Sequence, residues 1–368
     1  MGSSTAYSLS KSGKKVLLLE QFPLQHSKGS SHGQSRIIRR TYTEKHFSDL
    51  MTTSYALWNN FEGETKENLI VKTGGLDFGP NKSENLKKTI EICDKLNLNY
   101  QHYDNRELNK KFPVLRLPDN YHGIIQPESG VILADKALSC FQNQATQNHV
   151  LIFDNEPVSQ IKINSSQIVV ETSKSKYKTE KLILTSGLWT NTLLKSTGIS
   201  LNLDIWKMSI AYWPVTNSNY FHAQQFPIFI AWEDQPFYGF PVIERKNLIK
   251  IAPHFTTDTN ISPEIRDDTP NSYMINQISS FINRTFNYVN TTPIDPQTCY
   301  YSMSNDENFI LDFHPDTKNI IIGAGFSGHG FKFAPLIGKI LSELALGQES
   351  SDFDLSPFSI KYKLANWN

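Results

Sequence analysis

Val16-Leu17-Leu18-Leu19-Glu20 is a short apolar run that closes on an acid. Ahead of it, Ser3 to Ser12 reads as a helix, stopped by Gly13, which accepts the left-handed cap that other residues resist. Helix, strand and terminal acid form the second half of a dinucleotide-binding βαβ unit, with Glu20 poised for a ribose hydroxyl. The first strand and first two glycines of such a unit are missing; Gly2 stands where its third glycine falls. Taken alone, Leu17–Glu20 reads equally well as an ordinary buried strand.

A second stretch, Ile320-Ile321-Ile322-Gly323-Ala324-Gly325-Phe326-Ser327-Gly328-His329-Gly330-Phe331-Lys332, reads as strand, glycine turn and the start of a helix from Phe331 to about Leu346. Glycines let a backbone approach a ligand, and the first helical N–H groups face the turn. Gly323, Gly325 and Gly328 fit G-x-G-x-x-G, but that fingerprint needs a second strand ending in an acid about 20 residues on. Here the helix runs into Gly347-Gln348-Glu349-Ser350-Ser351-Asp352, and Glu343 lies inside it. The segment is a ligand-facing turn with a lysine at its mouth, not the opening βαβ unit.

The chain has 368 residues, enough for two domains or one α/β body with an inserted region. With 36 basic and 36 acidic residues it carries no footprint for nucleic acid or a membrane surface. No apolar run approaches the ~18 residues of a membrane span, and no secretory leader is visible. Cys93, Cys140 and Cys299 are scattered and odd in number, against a disulfide framework. The ten histidines show no metal-ligand spacing, so no metal is expected.

Periodicity predicts helices over Glu44–Glu62, Asn85–Leu96 and Ser262–Phe286, and a turn followed by a helix over Pro127–Asn148. It predicts a bent strand over Leu69–Phe78, four strands from Val150 to Thr185, and a short helix opening at Ser186. Ile205–Phe255 reads as aromatic-rich strands and Thr298–Ile310 as extended. The expected fold is α/β: a Rossmann-like domain, its first strand missing, from residues 1–78, 130–204 and 299–368. A sheet-rich substrate domain of α+β type takes 79–129 and 205–298.

Gly29-Ser30-Ser31-His32-Gly33-Gln34-Ser35-Arg36-Ile37-Ile38-Arg39-Arg40 packs three arginines into five positions. If extended, Arg36, Ile38 and Arg40 share one face and Ile37 and Arg39 the other. A charge run is usually a solvated edge. Two isoleucines inside it favour partial burial, and buried arginines need anionic partners.

These segments, in this order, resemble the sarcosine oxidase family of flavin-dependent amine oxidases, its animal peroxisomal sarcosine/L-pipecolate branch above all. The likeness rests on Leu17–Phe22, Gly29–Arg39, Phe309-Ile310-Leu311-Asp312 and Gly323–Lys332, and runs from Gly2 to about Phe358. It implies FAD, with Gly2, Glu20, Ser30, Ser31, His32, Arg36, Gly325, Phe326, Gly328, His329 and Gly330 around it. By the same likeness Cys299 carries a covalent thioether, though a lone cysteine is more often a plain buried thiol. Arg39 and Lys332 clamp a substrate carboxylate, Tyr238 and His254 sit over the substrate, and Lys250 faces oxygen. His254 follows Lys250 by four, so one strand face carries both; by itself His254 could equally be a core histidine.

The implied activity is oxidation of sarcosine or L-pipecolate by hydride transfer, with O2 returning H2O2. The expected partners are a small amino acid and O2, without nucleic acid or membrane, in a monomer. The resemblance places the chain in the peroxisome, although Asn366-Trp367-Asn368 is not a peroxisomal address; otherwise it is cytoplasmic. Two alternatives stay open: an oxidase of another N-methyl amino acid, and a flavin-free remnant acting as a binding protein.

Overall fold

The computed structural model describes residues 1–164, 167–348 and 353–364. The expectations for Glu349–Asp352 and for the Asn366-Trp367-Asn368 end lie outside them.

The N-terminal helix spans Gly2–Ser10 and buries Ser4, Thr5, Ala6 and Tyr7. It packs on the late helix Ala334–Leu346, with Ser4 Oγ donating to the Ala334 carbonyl at 2.6 Å. Closeness is set by Gly338: a Cβ there would stand 2.4 Å from Ser4 Oγ and 2.7 Å from its carbonyl oxygen. Tyr7 adds ring contacts, edge-on to Phe61 and tilted to Phe141, tying in the helices Lys45–Thr65 and Ala134–Gln147.

The parallel part of the fold lies in two pieces. Leu17–Leu19 pairs in parallel with Leu151–Phe153. Leu182–Leu184 pairs in parallel with Thr317–Ala324, which takes Ile310–His314 on its other side. Among the described residues the second edges of Leu17–Leu19 and Leu182–Leu184 are unpaired, and both strands border one large cavity. That arrangement matches a doubly wound sheet with one strand position unfilled.

An eight-stranded sheet covers the cavity. Its order is Ile294–Ser304, Leu203–Pro214, Leu248–Pro253, Phe237–Arg245, Ile228–Ala231, Gly75–Pro80, Tyr121–Gln126 and Gln101–Asp104. Its outer face buries a second core around Trp213, Phe229, Phe281 and Phe286 against the helix Ser272–Thr285. Ser35–Ile38, Gly130–Leu133 and Ile70–Lys72 form a small antiparallel sheet.

Several expectations need correction. The helix predicted over Ser262–Phe286 starts only at Ser272, where the Asn271 side chain accepts from the Tyr273 and Met274 N–H groups. Pro270 would fall in the interior of the longer helix, where it has no N–H to donate and its ring clashes with the preceding turn, which keeps the first ten residues out. Among the described residues the interval Val150–Thr185 holds five strands, not four. Gly130–Leu133 is a strand where a turn was expected, because both its edges are taken by neighbours. The extended arginine run ends at Ile38. Ile38 is core, while Arg36, Ile37 and Arg39 all border the cavity, so the simple alternation fails.

Replacing Gly338 by alanine should therefore destabilise the protein by ~1–3 kcal/mol, since the two helices must separate to admit a methyl group. Denaturant unfolding of Gly338→Ala checks this, and wild-type stability would contradict the packing.

Candidate active site

The cavity measures about 1920 Å³ and runs from the slot beside Gly2 and Leu17–Leu19 to the underside of the eight-stranded sheet. The early arginine loop and the late glycine turn meet on its wall. Arg36 stacks over the Phe331 ring at 5.6 Å, and Tyr42 reaches the His329 ring nitrogen at 3.4 Å.

The glycine turn forms because the chain must leave the sheet sharply. Gly325 and Gly328 have φ of +60° and +74°. At Gly328 a Cβ would stand 2.4 Å from the Tyr301 ring, so only glycine lets that ring lie flat against the turn. Phe326, Gly328, His329 and Gly330 line the cavity; Gly325 does not, and faces Leu203, Ser304 and Ile310.

The three arginines have different fates. Arg36 donates to the carbonyls of Ser30, His32 and Ser35, and so shapes the loop that holds Ser30, Ser31 and His32 on the wall. Arg40 pairs with Glu128 at 3.1 Å. Arg39 donates to the Thr41 carbonyl and lies 3.4 Å from Asp77. Asp77 is buried and also accepts from Thr41 Oγ1 at 2.8 Å and Trp232 Nε1 at 2.8 Å. Burial pushes its carboxyl pKa up, against the pull of Arg39 and the two hydrogen bonds.

Lys332 converges on the same place. The Arg39 guanidinium lies 4.7 Å and the Lys332 ammonium 5.5 Å from the centre of the Tyr42 ring. Lys332 is buried, donates to the His329 carbonyl, and pairs with no carboxylate among the described residues. Its main-chain oxygen is pinned by Ser54 Oγ and Trp58 Nε1. Desolvation, then the charges of Arg39 and Arg36, press its pKa well down. That strain is relieved by an anion between the two cations.

Over this pair stand aromatic and imidazole groups. Tyr238 Oη and Tyr301 Oη lie 3.2 Å apart, and His254 faces Tyr301. Lost hydration pushes the Tyr238 phenol up to about 12, and pushes that of Tyr301 well above its ordinary value. His254 is pushed down to about 4, by desolvation first and then by Arg39 and Lys332. Its imidazole is therefore neutral. Lys250 lies on the wall with its Nζ bonded to Ser35 Oγ and Glu244.

Glu20 borders the other end of the cavity, its carboxylate accepting from the Phe22 N–H at 3.0 Å and near His26 at 3.4 Å. Cys299 is a free thiol on the wall, pushed up to about 11 by burial against the pull of Arg36 and Lys250. Every residue that the family likeness placed at the cofactor or substrate lines this one cavity, apart from Gly325. Sequence reading missed Tyr42, Asp77, Trp232, Glu244 and Tyr301. Tyr301 was within reach, because it follows Cys299 by two in a strand and shares its face.

Fold and cavity together define a flavin-binding oxidoreductase, and the family model for FAD dependent oxidoreductases matches residues 1–344. The chain is 38% identical to the peroxisomal sarcosine oxidase of Homo sapiens over 98% of this chain and 93% of that one. It is 32% identical to the monomeric sarcosine oxidase of Bacillus sp. (strain B-0618), again over 98% and 93%. Among solved structures, NikD, an amino acid oxidase of nikkomycin biosynthesis, superposes with a TM-score of 0.87 over 97% of this chain and 94% of that one, at 23% identity. That last likeness speaks for the fold alone. The chain belongs to the sarcosine oxidase family of FAD-dependent oxidoreductases. The coarse activity that follows is flavin-dependent oxidation of an amino acid.

A neutral His254 predicts that its ring NMR signals hold their neutral positions from about pH 8 down to about pH 5.5. A titration midpoint near the free-imidazole value of ~6.5 would contradict the dry, cationic setting.

Proposed function

We propose that the chain oxidises a small secondary amino acid, sarcosine or L-pipecolate, at FAD, with O2 leaving as H2O2. One observation carries the reading: two cations share the Tyr42 ring at the cavity wall, and Lys332 pairs with no carboxylate of the described residues. An amino-acid carboxylate completes that site, and two-point attachment fixes how the rest of the molecule lies. Asp77, Thr41 and Trp232 hold Arg39 from behind, so the clamp is set before substrate arrives.

The residues present fit FAD. The cavity is large and elongated, has an acid at one end, and has a basic loop and a glycine turn facing each other at the other. Glu20 would take a ribose hydroxyl, Gly2 would let the backbone approach, and Ser30, Ser31, His32, Arg36 and the turn from Phe326 to Gly330 would hold the ring end. Cys299 would carry the thioether. When bound, FAD supplies the two-electron acceptor and the route of those electrons to O2. The parallel pieces would then floor the cofactor, and the eight-stranded sheet would roof the substrate.

The protein's share of the work is orientation and charge. Substrate amine must be unprotonated to surrender hydride, so turnover rises toward alkaline pH. His254, kept neutral, adds no charge to repel an incoming ammonium form. Tyr238, Tyr301 and Trp232 close the space over the substrate and limit its size. The imine that results hydrolyses, or persists if cyclic. The Lys250 ammonium stabilises the negative charge that O2 gains as it is reduced. The human relative's name carries the peroxisome, which we take as the compartment here, and a monomer as the working state.

Purified, FAD-loaded protein given sarcosine or L-pipecolate should release peroxide. Arg39→Ala should weaken the apparent affinity for the amino acid about 10- to 100-fold, the worth of a charge-assisted pair. An unchanged affinity would remove the carboxylate assignment. Acid precipitation should strip flavin from Cys299→Ser and leave it on the unmodified chain; flavin retained by the serine variant would refute the thioether.

A further inference from the structure

Behind Lys250 lies a carboxylate that the proposed chemistry has not used. Glu244 belongs to Phe237–Arg245, whose pairing with Leu248–Pro253 slips between Phe240 and Arg245. The irregular stretch turns Glu244 inward, where its side chain is 5% exposed and that of Lys250 is 8% exposed. Glu244 Oε1 accepts from Lys250 Nζ and from Ser35 Oγ, and Oε2 accepts from the Tyr212 hydroxyl. Lys250 Nζ also donates to Ser35 Oγ and lies 4.3 Å from the centre of the Phe240 ring. Lys250, Ser35, Tyr212 and Phe240 all border the cavity; Glu244 does not. The carboxylate grips the lysine from the side away from the cavity.

We propose that Glu244 is a positioning residue, anchoring the Lys250 ammonium at the cavity wall and keeping it charged at the alkaline pH where a substrate amine is deprotonated. The inference rests on the functional reading above for its consequence, but not for the pair itself. Four groups face Lys250 from the elements packed on it: Glu244, Arg36 from Ser35–Ile38, Tyr212 from Leu203–Pro214 and Cys299 from Ile294–Ser304. The Lys250 pKa is lowered: burial is the largest cause and Arg36 adds to it, while the charge and hydrogen bond of Glu244 oppose them without reversing the direction. Burial alone would raise the Glu244 pKa, but the Lys250 charge and the hydrogen bonds from Lys250, Ser35 and Tyr212 hold it below the usual carboxylate range. Cys299 is a neutral thiol until about pH 11, so Glu244 supplies the negative charge.

The two halves of the proposed reaction pull pH in opposite directions. Amine oxidation wants a deprotonated substrate; oxygen reduction wants a protonated lysine. A lysine buried among Phe240, Arg36 and Tyr212 without Glu244 would lose its proton as the substrate lost its own. The sign follows: removing the carboxylate lowers the Lys250 midpoint and draws in the alkaline limb of the oxygen step.

The deciding experiment titrates Lys250 in the apo protein by NMR of the lysine Cε, with the signal assigned by its loss in Lys250→Met. In Glu244→Gln the midpoint should fall by at least ~1 pH unit; an equal or higher midpoint overturns the proposal. In FAD-loaded enzyme the alkaline limb of O2-dependent reoxidation should move down by the same amount, while the pH profile of anaerobic reduction by the amino acid keeps its shape. Equal losses in both halves with unmoved limbs would mark a merely structural role and overturn it. If Glu244→Gln does not fold, Glu244→Asp carries the test: its shorter arm lowers the midpoint by less, and a wild-type midpoint there overturns it too. If the loaded wild-type protein oxidises no amine, the functional reading falls while the titration still decides the pair.

Discussion

Buried positive charge governs this cavity. Arg36, Arg39, Lys250 and Lys332 all reach its wall; the two lysines are buried, the Arg39 side chain is 11% exposed, and Arg36 is half-buried. An unpaired ion in such a setting is costly enough that it either finds a counterion or gives up its proton. The chain answers differently at each position. Arg36 spends its donors on three carbonyls, Arg39 leans on Asp77, Lys250 is held by Glu244, and Lys332 has, among the described residues, only the His329 carbonyl. The site is one anion short, and the shortfall lies beside the Tyr42 ring where a carboxylate would fit.

The scaffold exists to keep these groups from relaxing away. Lys332 shows this constraint most plainly. Its backbone is fixed by Ser54 and Trp58 from the helix Lys45–Thr65, and the next turn begins the helix that Gly338 presses onto Ser4. The lysine thus projects from a junction of three helices, and its stem cannot retreat to solvent. Arg39 is fixed from the opposite direction, by a strand of the eight-stranded sheet that carries Asp77. Two rigid bodies each offer one cation, and the distance between the cations is set by how those bodies pack.

The parts legible in sequence were those written in local pattern. Leu17–Leu19 and Ile320–Ile322 declare themselves as apolar strands, and Gly13 before the first and Gly325 and Gly328 after the second mark where the backbone bends. Arg39, Lys332, Lys250 and His254 came from a family likeness, and one cavity holds them. The buried acids were not legible. Asp77 looks like any polar residue in a strand and is buried because Trp232 and Thr41 close over it. Glu244 sits in Glu244-Arg245-Lys246-Asn247, which reads as a solvated turn; only a slip in strand register turns it inward. Likewise the helix at Ser272 begins late because Pro270 outweighs an apolar rhythm. Burial of a lone charge is a tertiary fact, fixed by register and packing rather than by neighbours in sequence.

Asp77 and Glu244 also differ in what they leave their partners free to do. Asp77 is shared among Thr41, Trp232 and Arg39, so its negative charge is spread over three donors and only partly cancels the arginine. Arg39 keeps attraction to spare for a ligand. Glu244 meets Lys250 directly, with Ser35 and Tyr212 completing its shell, and so offsets most of that lysine's charge in the resting state. A cation so matched repels little and attracts little. It responds when negative charge grows beside it, because the ammonium can then share its hydrogen bonds with the newcomer without moving far. On the proposed chemistry the two acids would divide the site: one would leave a cation hungry enough to bind, and the other would keep a cation quiet until electrons arrive.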